Sequence, residues 1–151
     1  MGCKFFMKLK IVMLFILVMI ATSLKAELHG KRKLPPCQDT PNCVSSQGVD
    51  KLHYIAPFKI SGDPKRAWQA LRTAIRTHDR MVITHETKDS LHAEATSLVL
   101  RFVDDIDAFL DTEAGLIQIR SASRLGHSDF GVNRKRIESF RTQLRALHVL
   151  G

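Results

Sequence analysis

The chain has 151 residues, 44% of them hydrophobic and 25% charged, with a formal net charge of +8. That length limits it to one domain, and the composition is that of a globular protein, not of a disordered or fibrous one. No P-loop, G-x-S-x-G or H-E-x-x-H motif occurs in the sequence, so the chemistries that depend on them find no support and no cofactor is expected.

The N-terminus reads as an export signal. Lys4, Lys8 and Lys10 precede an unbroken apolar run from Ile11 to Ala21. Small residues at Ala21 and Ser23, or at Ala26, offer cleavage positions, which gives a signal peptide over residues 1–26. The run is short of the roughly 20 apolar residues that span a bilayer. An uncleaved anchor, which would leave this segment in contact with the membrane, is the alternative. Either way the protein is expected to be exported, to the periplasm or cell envelope. Two lipid attachments are disfavoured. Phe6 stands where myristoylation needs Ser or Thr, and Leu34-Pro35-Pro36 puts no small residues before Cys37.

Cleavage after Ser23 would remove three lysines and no acids, leaving twenty basic residues against fifteen acidic. From Arg120 onward there are seven basic residues and two acidic ones, so the excess lies at the C-terminal end. A local positive field suggests an anionic partner. Nucleic acid is not expected, because the chain is exported and no aromatic residues interleave with the arginines as stacking platforms.

Residues 27–36 are polar and basic and read as a linker before a single globular domain over residues 37–151. Cys37 and Cys43 flank a Pro-containing loop. In an oxidising compartment they are expected to form a disulfide. Zinc would want two further ligands, and the spacing is not the C-x-x-C of thiol oxidoreductases. His53 to Ile60 alternates weakly and contains Pro57, so it reads as an edge strand. Pro64 suits the first position of a helix and Asp63 its N-cap, with Trp68, Leu71 and Ile75 on the buried stripe as far as His78. Met81 to Thr87 and His92 to Val103 read as strands, with Asp104-Asp105 as a break. A further strand carries Ile106, Ala108 and Leu110, and Leu116 to Ser123 follows a hairpin loop at Glu113-Ala114-Gly115. The last helix is expected from Asn133 to His148, with Ile137, Phe140, Leu144 and Leu147 inward. The order β-α-β-β-β-β-α implies an α+β fold. Its antiparallel sheet has about five strands, with two helices packed on one face.

The least core-like stretch is Arg120 to Arg136, RSASRLGHSDFGVNRKR, which holds four arginines, a lysine and two glycines. Arg134, Lys135 and Arg136 open the last helix, where the helix dipole disfavours cations by about 0.3–1 kcal/mol each. A bound anion there would meet free backbone N–H groups and guanidinium forks together. The competing reading is internal neutralisation by Asp129, or by Glu138 pairing with Arg134 four residues earlier.

These residues resemble an uncharacterised family, that of domain of unknown function 1499. The resemblance rests on Pro41-Asn42-Cys43-Val44-Ser45-Ser46, on Arg101-Phe102-Val103-Asp104-Asp105, and on Arg120 to Arg124 with Gly126 and Ser128 to Glu138. It extends from about Cys37 to the C-terminus. It implies an envelope or lumenal setting and convergence of the three blocks in space, and it implies no activity. The expected function is a non-enzymatic binding domain. Arg120, Arg124 and Arg134 would grip an anionic small molecule, a lipid headgroup or a protein partner's carboxylate. Asn42, Ser45 and Asn133 would supply hydrogen bonds, with Asp104, Asp105 and Asp129 completing the polar site. The alternative is a hydrolase or metal-assisted enzyme using Asp104, Asp105, His127 and Asp129.

Overall fold

The computed structural model describes Met13 and residues 32–151. The expected signal peptide apart from Met13, and the linker as far as residue 31, lie outside the described residues. Among the described residues no helix is long and apolar enough to cross a membrane.

The first helix, α1 (Pro64–Thr77), begins as the sequence demands. Pro64 occupies the first helical position, and the Asp63 carboxylate accepts a hydrogen bond from the Lys65 N–H at 3.0 Å. Its inward stripe is Ala67, Trp68, Leu71, Ala74 and Ile75. The second helix, α2 (Val132–Ala146), buries Ile137, Phe140 and Leu144. It starts after Gly131, whose φ of 77° suits a residue without Cβ. It stops before Leu147, which is exposed, and so falls short of the expected end at His148.

Six strands form one antiparallel sheet: β1 (Cys43–Ser45), β2 (Phe58–Lys59), β3 (Met81–Glu86), β4 (Ser90–Thr96), β5 (Val103–Asp111) and β6 (Leu116–Ser123). The order is β1-β6-β5-β4-β3, and β2 pairs with β6 beyond the end of β1. Four strands come from hairpin-connected segments, as the short links required. Register divides the side chains cleanly. Ile117, Ile119 and Ser121 of β6 stand opposite Leu110, Ala108 and Ile106 of β5, and the last two face Leu91 and Ala93 of β4. This face carries both helices. Phe58, Leu71, Ile75, Ile106, Ile119 and Phe140 are completely enclosed in one core. Each such side chain contributes about 1.5–3 kcal/mol through burial.

Four boundaries differ from the sequence reading. The sixth strand is β1, which lies in the Pro- and Cys-rich segment expected to be loop; Val44 is drawn into the core by pairing opposite Ser121. The edge strand expected over His53 to Ile60 contracts to Phe58–Lys59. The long strand expected to reach Val103 ends at Thr96, and Leu98, Val99 and Leu100 sit exposed in a turn. Asp104-Asp105 does not break the chain but lies inside β5, because each carboxylate finds a cation on its own face of the sheet.

Cys37 and Cys43 are joined by a disulfide. The chain is already ordered before it, since the Leu34 N–H donates to the Gln47 side chain at 2.8 Å.

Candidate functional site

The PNCVSS segment, Asp104-Asp105 and the arginine stretch meet at one end of the sheet, where β1 starts, β5 starts and β6 ends. Period-two alternation then sends their side chains to opposite faces. The result is two separate polar networks.

The network on the helix face is buried. Arg136 Nη2 donates to Asp104 Oδ2 at 2.6 Å, and its Nη1 donates to Ser121 Oγ and Asn133 Oδ1. Ser121 Oγ also donates to Asn133 Oδ1 at 2.6 Å. Asn133 Nδ2 donates to the Asn42 carbonyl at 2.9 Å and to Ser123 Oγ. Asn42 in turn donates to the Gly126 carbonyl. Arg136 and Asp104 are only 10% and 11% exposed. One ion pair and two amides therefore tie β1, β5, β6 and the start of α2 together, with every member of the set partnered.

The network on the other face is a cross-strand lattice. Asp107 of β5 lies directly between His92 of β4 and Arg120 of β6. It binds His92 Nδ1 at 2.7 Å and Arg120 Nη1 at 2.9 Å. One step along, Glu94 and Asp105 are directly opposed, an unfavourable pairing of like charges. Arg124 resolves it by donating to both carboxylates. Its pKa is pushed further up, first by the hydrogen bond to Asp105 and then by that to Glu94. His92, Glu94 and Asp105 each present one ligand atom within 4.8 Å of the others, a donor set suited to a divalent ion. The cation held against the two carboxylates is the Arg124 guanidinium.

Of the two acids the sequence offered at the cationic start of α2, Asp129 sits there and Glu138 does not pair as expected. Asp129 accepts from the backbone N–H groups of Gly131 and Asn133, at 2.9 and 2.7 Å. That supplies an anion at the helix N-terminus. Glu138 pairs with Arg141 and not with Arg134. Arg134 reaches back to the carbonyls of Leu52 and Tyr54, both at 2.9 Å.

The nine residues expected in one polar pocket are thus divided. Asn42, Asp104 and Asn133 join the buried helix-face network. Asp105, Arg120 and Arg124 join the lattice on the opposite face. Ser45 is buried opposite Arg120, where its hydroxyl accepts from the Gln47 N–H. Asp129 caps α2 and Arg134 holds loop carbonyls. The hydrolytic set is dispersed too, since Asp104 and Asp105 point to opposite faces and His127 is exposed. The sequence reading missed Arg136 and Ser121. Arg136 belonged to a run of three cations that spacing could not rank, and Ser121 looked like a small strand residue.

A cleft of about 380 Å³ opens between the end of α1, the start of β3, the end of β4 and the first turns of α2. Met81, Ala95 and Val132 give it an apolar lining, and Arg80, Lys135 and Arg136 line it with cations. Arg136 is committed to Asp104. Arg80 and Lys135 are exposed and have no ion-pair partner among the described residues. Asp79 and the Arg136-bound Asp104 are the acids at the same opening.

Neither the curated proteins nor the solved structures contain a match to this chain. Residues 33–144 match the family model described as "Protein of unknown function (DUF1499)". With the match running from the segment before Cys37 through both networks and nearly to the end of α2, the chain belongs to that family.

Proposed function

We propose that this protein is an exported, non-enzymatic envelope domain that binds an anionic ligand in the cleft between α1 and α2. The observation that carries the reading is the contrast among the cations at this end of the sheet. Arg120, Arg124, Arg134 and Arg136 are engaged, whereas Arg80 and Lys135 line an open cleft without a partner. Two cations above an apolar lining suit an amphiphilic anion, whose charged group would meet Arg80 and Lys135 while its carbon skeleton covers Met81 and Val132. Export is supported by the basic and apolar N-terminal sequence and by the Cys37–Cys43 pair, since disulfides persist in oxidising compartments.

Thermal unfolding of the full chain with inorganic phosphate, citrate and a short alkyl phosphate tests the proposal. A ligand at 100 times its Kd stabilises by about 2.7 kcal/mol. The expected result is an upward shift of Tm that is lost in the Arg80→Ala, Lys135→Ala double variant and kept in Arg124→Ala. No shift with any of the three anions, or the same shift in the double variant, would sink it.

A further inference from the structure

The same end of the sheet carries a second feature, which does not depend on the cleft holding an anion. The β4–β5 turn presents Leu98, Val99, Leu100 and Phe102 to solvent, and the neighbouring β6–α2 loop adds Leu125 and Phe130. Val99 is 82% exposed and Phe130 89%. The two loops leave adjacent strands side by side, since the Arg124 N–H donates to the Val103 carbonyl. The turn is a built structure. Ser97 and Phe102 close it, with the Ser97 N–H donating to the Phe102 carbonyl and the Phe102 N–H to Ser97 Oγ, both at 2.8 Å. Arg101, just before the closing Phe102, holds a φ of 56°, a left-handed conformation rare for residues with a Cβ. Nothing in the domain's own core needs these side chains.

We infer that this end of the domain docks on an anionic lipid bilayer, with the Leu98–Phe102 turn and Phe130 entering the interface. The choice of a bilayer over a protein groove rests on shape and charge. The apolar groups lie on projecting loops, which suit insertion, and aliphatic residues with a phenylalanine are the side chains that interfacial elements bury. Arg101 sits in the turn itself, and Arg80 and Lys135 line the opening beside Ser97. Against these stands exposed Asp79, while Asp104, Asp105, Glu94 and Asp129 are consumed internally. A net positive rim around an apolar tip complements anionic headgroups. A retained apolar run from Ile11 to Ala21, the anchor alternative, would also hold the chain at a membrane surface.

The test must read the tip and not the N-terminal run. In the full chain, Val99→Trp and, separately, Val49→Trp place reporters at two strongly exposed positions. Val49 lies beyond the end of β1 that points away from the tip. Each variant is mixed with vesicles of phosphatidylcholine, with and without phosphatidylglycerol, carrying bromine on the acyl chains. Trp68 is buried and provides a background common to both. The expected result is quenching and a blue shift for Val99→Trp on phosphatidylglycerol vesicles, and at least a threefold smaller response for Val49→Trp. Adding Arg101→Gln and Lys135→Gln to Val99→Trp should remove the preference for phosphatidylglycerol. Equal quenching at the two positions, or none at position 99, would overturn the inference. So would a blue shift of Val99→Trp that grows with protein concentration in the absence of vesicles, which would assign the surface to a second copy of the chain.

Discussion

Arg136→Ala is the substitution whose cost follows most directly from the structure. It removes the partner of Asp104 where both side chains are about one-tenth exposed, and it strips a charged donor from Ser121 and Asn133. Breaking a buried ion pair from one side typically costs 3–5 kcal/mol, because the remaining charge stays desolvated and unpaired. The contrasting variant is Arg124→Ala, in which the removed side chain is 43% exposed. Solvent screening limits such a pair to about 1 kcal/mol or less. Urea unfolding of the full chain, followed through the fluorescence of buried Trp68, should therefore show a large fall in midpoint for the first variant and a small one for the second, with the slope unchanged. The double change Asp104→Leu, Arg136→Met should recover most of the loss, since an apolar pair of similar volume is often neutral in such positions. A cost below about 1 kcal/mol for Arg136→Ala, or a larger cost for Arg124→Ala, would refute the ranking of the two networks.

Two further outcomes follow from the loop after β1. Gly48→Ala should destabilise by about 1–3 kcal/mol, because a Cβ at Gly48 would lie 2.8 Å from the His53 carbonyl carbon and 3.0 Å from the Tyr54 nitrogen, and backbone must move; chemical unfolding reads it. His53 is buried with Nδ1 at 2.8 Å from Asp50, and that hydrogen bond raises its pKa above 6.5 while lowering that of Asp50 below 3.8. The stabilisation from His53 is complete below pH 6.5 and fades as pH rises through its folded value. That from Asp50 is complete above 3.8 and fades as pH falls through its own. An NMR titration of the His53 ring should give a pKa above 6.5 that drops in Asp50→Asn; an unchanged value in that variant would contradict the pairing.

Helices were legible because their signals are local. Pro64 with Asp63, and the spacings of Trp68, Leu71 and Ile75 and of Ile137, Phe140 and Leu144, are fixed within one segment and hold in the fold. What failed was decided between segments. Three residues of β1 become a strand because β6 offers its edge, which nothing in PNCVSS announces. Leu98, Leu100 and Phe102 alternate with Val99, Arg101 and Val103, out of phase with buried Leu91, Ala93 and Ala95, and they project as a turn, since alternation alone cannot say whether a face exists to bury it. The three blocks that carry the candidate residues meet at one end of the sheet. Their division between two faces hangs on β5 running straight through Asp104 and Asp105, where charge had suggested a break. The sequence also gave no way to rank Arg134, Lys135 and Arg136, which end up on carbonyls, at a cleft and in a buried pair respectively.

The two margins of the sheet bear on how the chain keeps company with copies of itself. One margin of β6 is covered by two fragments, β1 and β2, of three and two residues, with Pro57 just ahead of the second. The other margin is β3, whose register slips between Ile83 and His85 and which ends in exposed His85 and Glu86, the latter held by Arg72 and Arg76. Irregular, charged and interrupted borders are poor templates for strand addition. A sheet bordered in this way resists runaway edge-to-edge pairing with other copies while the chain folds.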